Sequence, residues 1–203
     1  MEERRKLFCL GDSVTFGYGV RPSQRWTGIM AREHGWEVVN EGVNGDTTGG
    51  MLTRLQVRVL AEVKRELSGG GRPYVLLMGG SNDIFYSGSD TPARANMGAM
   101  VHQMLSAGIL PMVGIPLPVA PAFAPEAWAA VVDFAAAAEK LTDYCAWLKR
   151  YCAAFGLPYV DFRADFLTLN GTVREALLLD GLHPTPEGHR LMAARLCAQL
   201  NKS

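Results

Sequence analysis

The chain has 203 residues, 48% of them hydrophobic, and its 20 Lys and Arg match its 20 Asp and Glu. That length points to a single domain over residues 1–203 with a sizeable core, and a neutral balance leaves no electrostatic footprint for nucleic acid. Only Leu7-Phe8-Cys9-Leu10 is apolar between the charged start and Gly11, too short for a signal-peptide core, and no run is long enough to span a bilayer. A soluble, cytoplasmic protein is therefore expected.

In chain order, short apolar runs alternate with helical patterns. Leu7–Leu10, Trp36–Asn40, Tyr74–Met78, Ile109–Gly114 and Leu157–Asp161 are bounded by Gly or Pro and lack alternation, as buried parallel strands do. Between them, Leu52, Leu55, Val59, Val63 and Leu67 mark one helix face. Asp46, Thr47 and Thr48 stand ready to cap that helix and Ser68-Gly69-Gly70-Gly71 to stop it. A helix is predicted over Pro92–Ala107. A longer one carries Trp128, Val131, Val132, Leu141, Tyr144, Cys145, Leu148, Cys152 and Phe155, and a last one carries Met192, Leu196 and Leu200. Strand–helix alternation predicts an α/β protein. We expect a three-layer α/β/α sandwich around a central, mostly parallel five-stranded sheet, with ligands beyond the carboxyl ends of the strands.

Chemistry-bearing residues fall at those ends. Gly11-Asp12-Ser13 follows the first strand, Gly42–Asp46 the second and Gly79–Asp83 the third, while Asp180-Gly181-Leu182-His183-Pro184 precedes the last helix. Ser13 is the candidate nucleophile and His183 its base, since a serine hydroxyl attacks well only when its proton is taken. Asp180, three residues before His183, can reach the far imidazole nitrogen and hold the tautomer, and Pro184 and Pro186 stiffen the loop. Acyl transfer also needs donors where negative charge develops: the backbone N–H groups of Ser13 and Gly45 and the side-chain amide of Asn82 are the candidates. Any one of these motifs alone reads as turn chemistry. Their joint placement, each in a different role, carries the catalytic reading.

Other features read more plainly. Asp12 is expected to hold loop N–H groups, Asp46 to cap a helix and Asp83 to serve structure. His34 and His102 lie on predicted helices and are expected at the surface, and His189 has no ligand spacing to His183. Cys9, Cys145, Cys152 and Cys197 form no Cys-x-x-Cys pair and read as small hydrophobes. There is no His-Glu-x-x-His, no Gly-Lys-Ser/Thr and no Gly-x-Ser-x-Gly. Gly17-Tyr18-Gly19 lacks the third glycine of a dinucleotide site, Pro22 standing there. No metal and no cofactor is expected. The segment from Ile115 to Trp128 has four prolines with Leu117, Val119, Phe123 and Trp128, and Phe16, Tyr18, Phe85 and Tyr86 flank the motif loops. That apolar rim suits an acyl chain or an aryl ester better than a bare sugar; packing of these residues onto the core is the plainer alternative.

These blocks resemble the SGNH hydrolases, also called GDSL-type esterases and lipases. The similarity lies in Gly11-Asp12-Ser13-Val14, in Asn40 to Thr48, in Gly80-Ser81-Asn82-Asp83 and in Asp180–Pro184; Val14 departs from the Leu of the family name. The resemblance implies a flavodoxin-like fold, a Ser13–Asp180–His183 triad and an oxyanion hole completed by Gly45 and Asn82. It implies no cofactor. The family holds esterases, thioesterases, lysophospholipases and carbohydrate deacetylases, so the fold does not choose the substrate. The expected activity is hydrolysis of short- to medium-chain acyl esters, thioesters and aryl esters included. A carbohydrate O-deacetylase and a non-catalytic binding module are the alternatives. The expected partner is a small-molecule ester, and the sequence is silent on oligomeric state.

Overall fold

A computed structural model describes residues 5–202. Its strands are β1 (Lys6–Gly11), β2 (Glu37–Gly42), β3 (Tyr74–Met78), β4 (Met112–Ile115) and β5 (Tyr159–Asp161). They form one five-stranded sheet in the order β2-β1-β3-β4-β5, and every pairing is parallel. The helices are α1 (Ser13–Phe16), α2 (Trp26–Glu33), α3 (Thr48–Arg54), α4 (Leu60–Ser68), α5 (Ser81–Ser87), α6 (Thr91–Ser106), α7 (Glu126–Ala129), α8 (Phe134–Phe155) and α9 (Pro186–Leu200). A wide π turn at Leu55–Val59 joins α3 to α4, so the helix expected there runs on from Thr48.

Burial on both faces makes the sheet the middle layer. Phe8, Leu10, Val75, Leu77 and Val113 pack with residues of α3, α4, α6 and α8 on one side, while Leu7, Cys9, Leu76, Met78 and Val160 pack with α2 and α9 on the other. Successive strand side chains point to opposite faces, so a strand buried on both has no polar alternation to show. Gly11 lies level with Gly42 on one side and Met78 on the other, which brings three strand ends to one rim.

The strand starts differ from expectation for a common reason. Ile109 and Leu157 close helices instead: their N–H groups bond back to the carbonyls of Met104 and Cys152, both at 2.9 Å, after Gly108 (φ 75°) and Gly156 (φ 63°). This is the Schellman arrangement, in which a hydrophobic residue just past a left-handed glycine packs on the helix it ends. Trp36, after Gly35, likewise bonds back to Met30. Each reads as strand by composition and is spent on a cap.

The long helix expected from Trp128 to Phe155 is also divided. Asp133 accepts hydrogen bonds from the N–H groups of Ala135 and Ala136, starting α8 afresh, and the exposed Val131 lies in the break. Asp46 is not the cap of α3; Thr47 is, accepting from Gly50 N–H, while the Asp46 carboxylate is held by Arg54. His34 and His102 are exposed, Cys9, Cys145 and Cys152 are buried, and Cys197 is half-buried.

Candidate active site

Ser13 opens α1 where β1 ends. Asp12 caps that turn, its Oδ1 accepting from Val14 N–H at 2.9 Å, and the Trp26 indole N–H holds the Val14 carbonyl at 3.1 Å. The fit at the strand end is tight: a Cβ on Gly11 would lie 2.2 Å from Thr15 Oγ1 and 2.6 Å from the Met78 carbonyl. Asp12 is 4% exposed, and burial pushes its carboxyl up to about 6 against the pull of its bond to Val14. Its role is the expected one, holding loop backbone.

The loop of Asp180 and His183 is pinned at both ends. Leu178 and Pro184 form an antiparallel bridge, Leu179 N–H donates to the His183 carbonyl at 2.7 Å, and Ala120 N–H donates to the Gly181 carbonyl at 2.8 Å. Gly181 has φ 77°, and a Cβ there would stand 2.5 Å from the Ala120 carbonyl, so glycine is required. Asp180 Oδ1 accepts from the N–H groups of Leu182 and His183, and its Oδ2 lies 2.8 Å from His183 Nδ1. Burial acts to raise the Asp180 carboxyl, but the bonds from His183 outweigh it and hold the group below the usual carboxylate range. An ionised carboxylate only accepts, so Nδ1 carries the proton and donates. Nε2 is then free to accept from the Ser13 hydroxyl, whose Oγ lies 2.8 Å away.

One cavity of about 310 Å³ touches Ser13, Gly45, Asn82 and His183 together. Gly45 lies in the loop after β2 with φ 72°, and Asn82 in the first turn of α5, which Gly80 enters at φ 116°. Asn82 Nδ2 donates one hydrogen to the Asp46 carbonyl at 2.8 Å. Asp83 ties the same two loops, accepting from Thr48 N–H at 2.9 Å and Thr48 Oγ1 at 2.6 Å, the structural role expected for it. Phe85, Leu117, Val119, Trp128, Phe134 and Leu182 make much of the remaining wall. The imidazole of His183 sits between rings, Tyr18 at 4.5 Å and Trp128 edge-on at 6.0 Å. A hydroxyl beside an imidazole, in an apolar cleft with amide donors on its border, can take part in acyl transfer.

A family model for the GDSL-like lipase/acylhydrolase family matches residues 9–191. The chain belongs to this family. It is a carboxylic ester hydrolase of the SGNH type, with the flavodoxin-like sheet that this membership implies. It is similar to esterase TesA of Pseudomonas aeruginosa, at 28% identity over 187 residues that cover 88% of this chain and 79% of the relative. Two solved structures share the fold. The M. smegmatis aryl esterase has a TM-score of 0.76 at 22% identity, over 98% of this chain and 99% of that one. Est24, a carbohydrate acetylesterase from Sinorhizobium meliloti, has a TM-score of 0.76 at 23% identity, again over 98% and 99%.

The four stretches singled out in the sequence thus meet in this SGNH hydrolase, with Asp180 behind His183. What sequence reasoning missed is the support. The His189 ring, fully buried, accepts the Trp26 N–H at Nδ1, and burial pushes it down to about 4. Arg54 reaches three strand and loop ends at once. The Trp26–His189 bond spans 163 positions and the Arg54–Gly11 bond 43, and no local pattern announces either. Among the described residues no group of three or more His, Cys, Asp or Glu is placed to hold a metal, and no helix is long and apolar enough to cross a membrane.

Proposed function

We propose that this SGNH hydrolase cleaves short- to medium-chain acyl esters, aryl esters and thioesters among them, through an acyl-enzyme on Ser13. Ser13 Oγ attacks the acyl carbonyl while His183 Nε2 takes its proton. The oxygen of the carbonyl gains the negative charge, and the N–H groups of Ser13 and Gly45 with the Asn82 amide offer it donors. The carbon–oxygen bond to the alcohol breaks, and His183 returns the proton to the leaving oxygen. Water, deprotonated by His183, then attacks the acyl-enzyme, and Ser13 regains its hydrogen as the acid departs. Asp180 holds the imidazole tautomer throughout and faces the imidazolium charge.

The observation that carries this reading is the 2.8 Å contact of Ser13 Oγ with His183 Nε2 in the wall of a largely apolar cavity. Apolar walls favour an acyl chain or an aryl group, since burying each methylene is worth about 0.8 kcal/mol. Loops from Asp12 to His183 build the cavity, so the reading treats the chain as one catalytic domain.

The experiment is fluorophosphonate labelling with peptide mapping, followed by p-nitrophenyl esters of rising chain length set against acetylated sugars. The expected result is a label on Ser13 and faster turnover of butyrate and hexanoate esters than of acetyl-sugars. Turnover of acetyl-sugars alone would replace the substrate class with carbohydrate deacetylation. Equal ester turnover by the native chain and Ser13→Ala, where a loss of about 10⁴-fold or more is expected, would leave a binding module.

A further inference from the structure

The guanidinium of Arg54 is a hub beneath the loops that carry the oxyanion donors. Nη2 donates to the carbonyl of Gly11, the last residue of β1, at 2.9 Å. Nη1 donates to the carbonyl of Glu41 near the end of β2 and faces the Glu41 carboxylate at 3.9 Å. Nε and Nη2 both donate to Asp46 Oδ2, at 2.9 and 2.5 Å. The side chains of Arg54 and Asp46 are only 14% and 15% exposed. Solvent therefore screens this pair less than a surface pair, and the planar fork suits several fixed acceptors at once.

The acceptors matter more than their number. Gly11 leads straight into Asp12 and Ser13. Asp46 follows Gly45 directly, and its own carbonyl takes one hydrogen of the Asn82 amide at 2.8 Å. An amide NH₂ has two hydrogens in one plane. Fixing one at Asp46 sets the direction of the other, and fixing the Asp46 side chain sets where its carbonyl stands. The same Asp46 that Arg54 grips thus aims Asn82 and anchors the peptide beside Gly45.

We propose that Arg54 is a positioning residue for the oxyanion hole: it locks Asp46 to the ends of β1 and β2, and through Asp46 it holds Gly45 and Asn82 in register with Ser13. Arg54 does not line the cavity. The proposal rests on the reading of Gly45 and Asn82 as oxyanion donors. Its effect belongs to the transition state, where charge develops, and not to ground-state binding. Lysine cannot replace it, because one ammonium cannot span Gly11, Glu41 and Asp46 in the geometry of the fork.

The test is a kinetic double-mutant cycle on p-nitrophenyl butyrate with Arg54→Lys, Asn82→Ala and the pair, each checked for its melting temperature. Asn82→Ala is expected to lower kcat by about 10²–10³-fold. Arg54→Lys is expected to lower kcat by about 10–10²-fold with KM within about twofold, as a misaimed donor does. The pair should fall only about threefold below Asn82→Ala alone, since most of the Arg54 loss passes through the Asn82 amide and only the part that acts on Gly45 remains. Native-like turnover by Arg54→Lys, or a loss that multiplies in full with that of Asn82→Ala, overturns the role of Arg54 and leaves the oxyanion assignment intact. Native-like turnover by Asn82→Ala overturns both. Should Arg54→Lys fail to fold, Asp46→Asn takes its place in the cycle and is judged by the same two criteria.

Discussion

Asp180 grips His183 by backbone and by ring with different oxygens. Oδ1 takes the His183 N–H at 2.8 Å and the Leu182 N–H at 3.1 Å, while Oδ2 takes Nδ1 at 2.8 Å. The division separates loop shape from tautomer. Asp180→Asn keeps an oxygen for the backbone donors and turns an amide toward Nδ1, which forces the ring proton to Nε2 and removes the acceptor that Ser13 needs. The expected outcome is a fall in kcat of about 10⁴-fold with little change in melting temperature. Equal losses of activity and fold would mean that the carboxylate only shapes the loop.

Gly80 is the entry to α5 at φ 116°, and a Cβ there would lie 2.5 Å from the ring of Tyr144. Tyr144 is fully buried and its hydroxyl donates to the Gly79 carbonyl at 3.2 Å, so the ring has nowhere to go. Gly80→Ala therefore combines backbone strain of about 1–3 kcal/mol with overpacking of about 1–3 kcal/mol. Thermal melting should show a clear drop. Asn82 sits two residues on, so kcat should fall too even in protein that stays folded. A melting curve matching the native one would show that α5 can enter by another path.

Two buried groups give opposite pH slopes to stability. Asp12 is raised to about 6 by burial, so between that value and the unfolded pKa of about 3.9 the folded chain holds a proton that the unfolded chain releases. Its contribution to stability grows as pH falls through that window. His189 is lowered to about 4, chiefly by burial, and there the unfolded chain, with a pKa of about 6.5, takes the proton that the folded chain refuses. Its contribution is full above about pH 6.5 and is lost as pH falls toward about 4. Each arm is worth up to about 3 kcal/mol, and they oppose one another.

Urea midpoints relative to the native chain separate them. Asp12→Asn keeps a cap for Val14 N–H, should be the more stable chain near neutral pH, and should lose that advantage as acid is added. His189→Gln keeps an acceptor for Trp26 N–H and should gain on the native chain as the solution is acidified. Midpoints of both variants that run parallel to the native curve across this range would show that neither group titrates with folding.

Trp128 stands edge-on to His183 at 6.0 Å and walls the apolar cavity from α7. Trp128→Ala should cost p-nitrophenyl hexanoate about 10–10²-fold in kcat/KM, the worth of about 1–3 kcal/mol of lost apolar contact, and cost the acetate ester much less. Equal losses on both esters would show that the indole acts on the imidazole and not on the acyl chain.

Several elements could be read with no coordinates at all. Tyr74–Met78 is an unbroken apolar run, and it is a strand over those same residues because burial on both faces demands nothing but hydrophobes. Thr47 caps the helix that Thr48 opens, and the glycines after Ser68 stop it. The order of the motif loops followed from the alternation of strands and helices. Errors came where one residue type serves two ends: Ile109, Leu157 and Trp36 are strand-like in composition yet close helices through bonds to the preceding turn. The break at Val131–Asp133 hid because an apolar periodicity continues across it.

Side-chain type and short-range spacing, set by backbone geometry within a few residues, were enough to single out Ser13, Gly45, Asn82, Asp180 and His183 as candidates and to put most of them at strand ends. Only the folded chain decided that Ser13 Oγ and His183 Nε2, 170 positions apart, stand 2.8 Å from one another, that Arg54 knots two strand ends to Asp46, and that His189 is sealed beneath Trp26. Those contacts are set by how α2, α3 and α9 pack on the sheet, and packing is a property of all the side chains together, which no window of neighbouring residues contains.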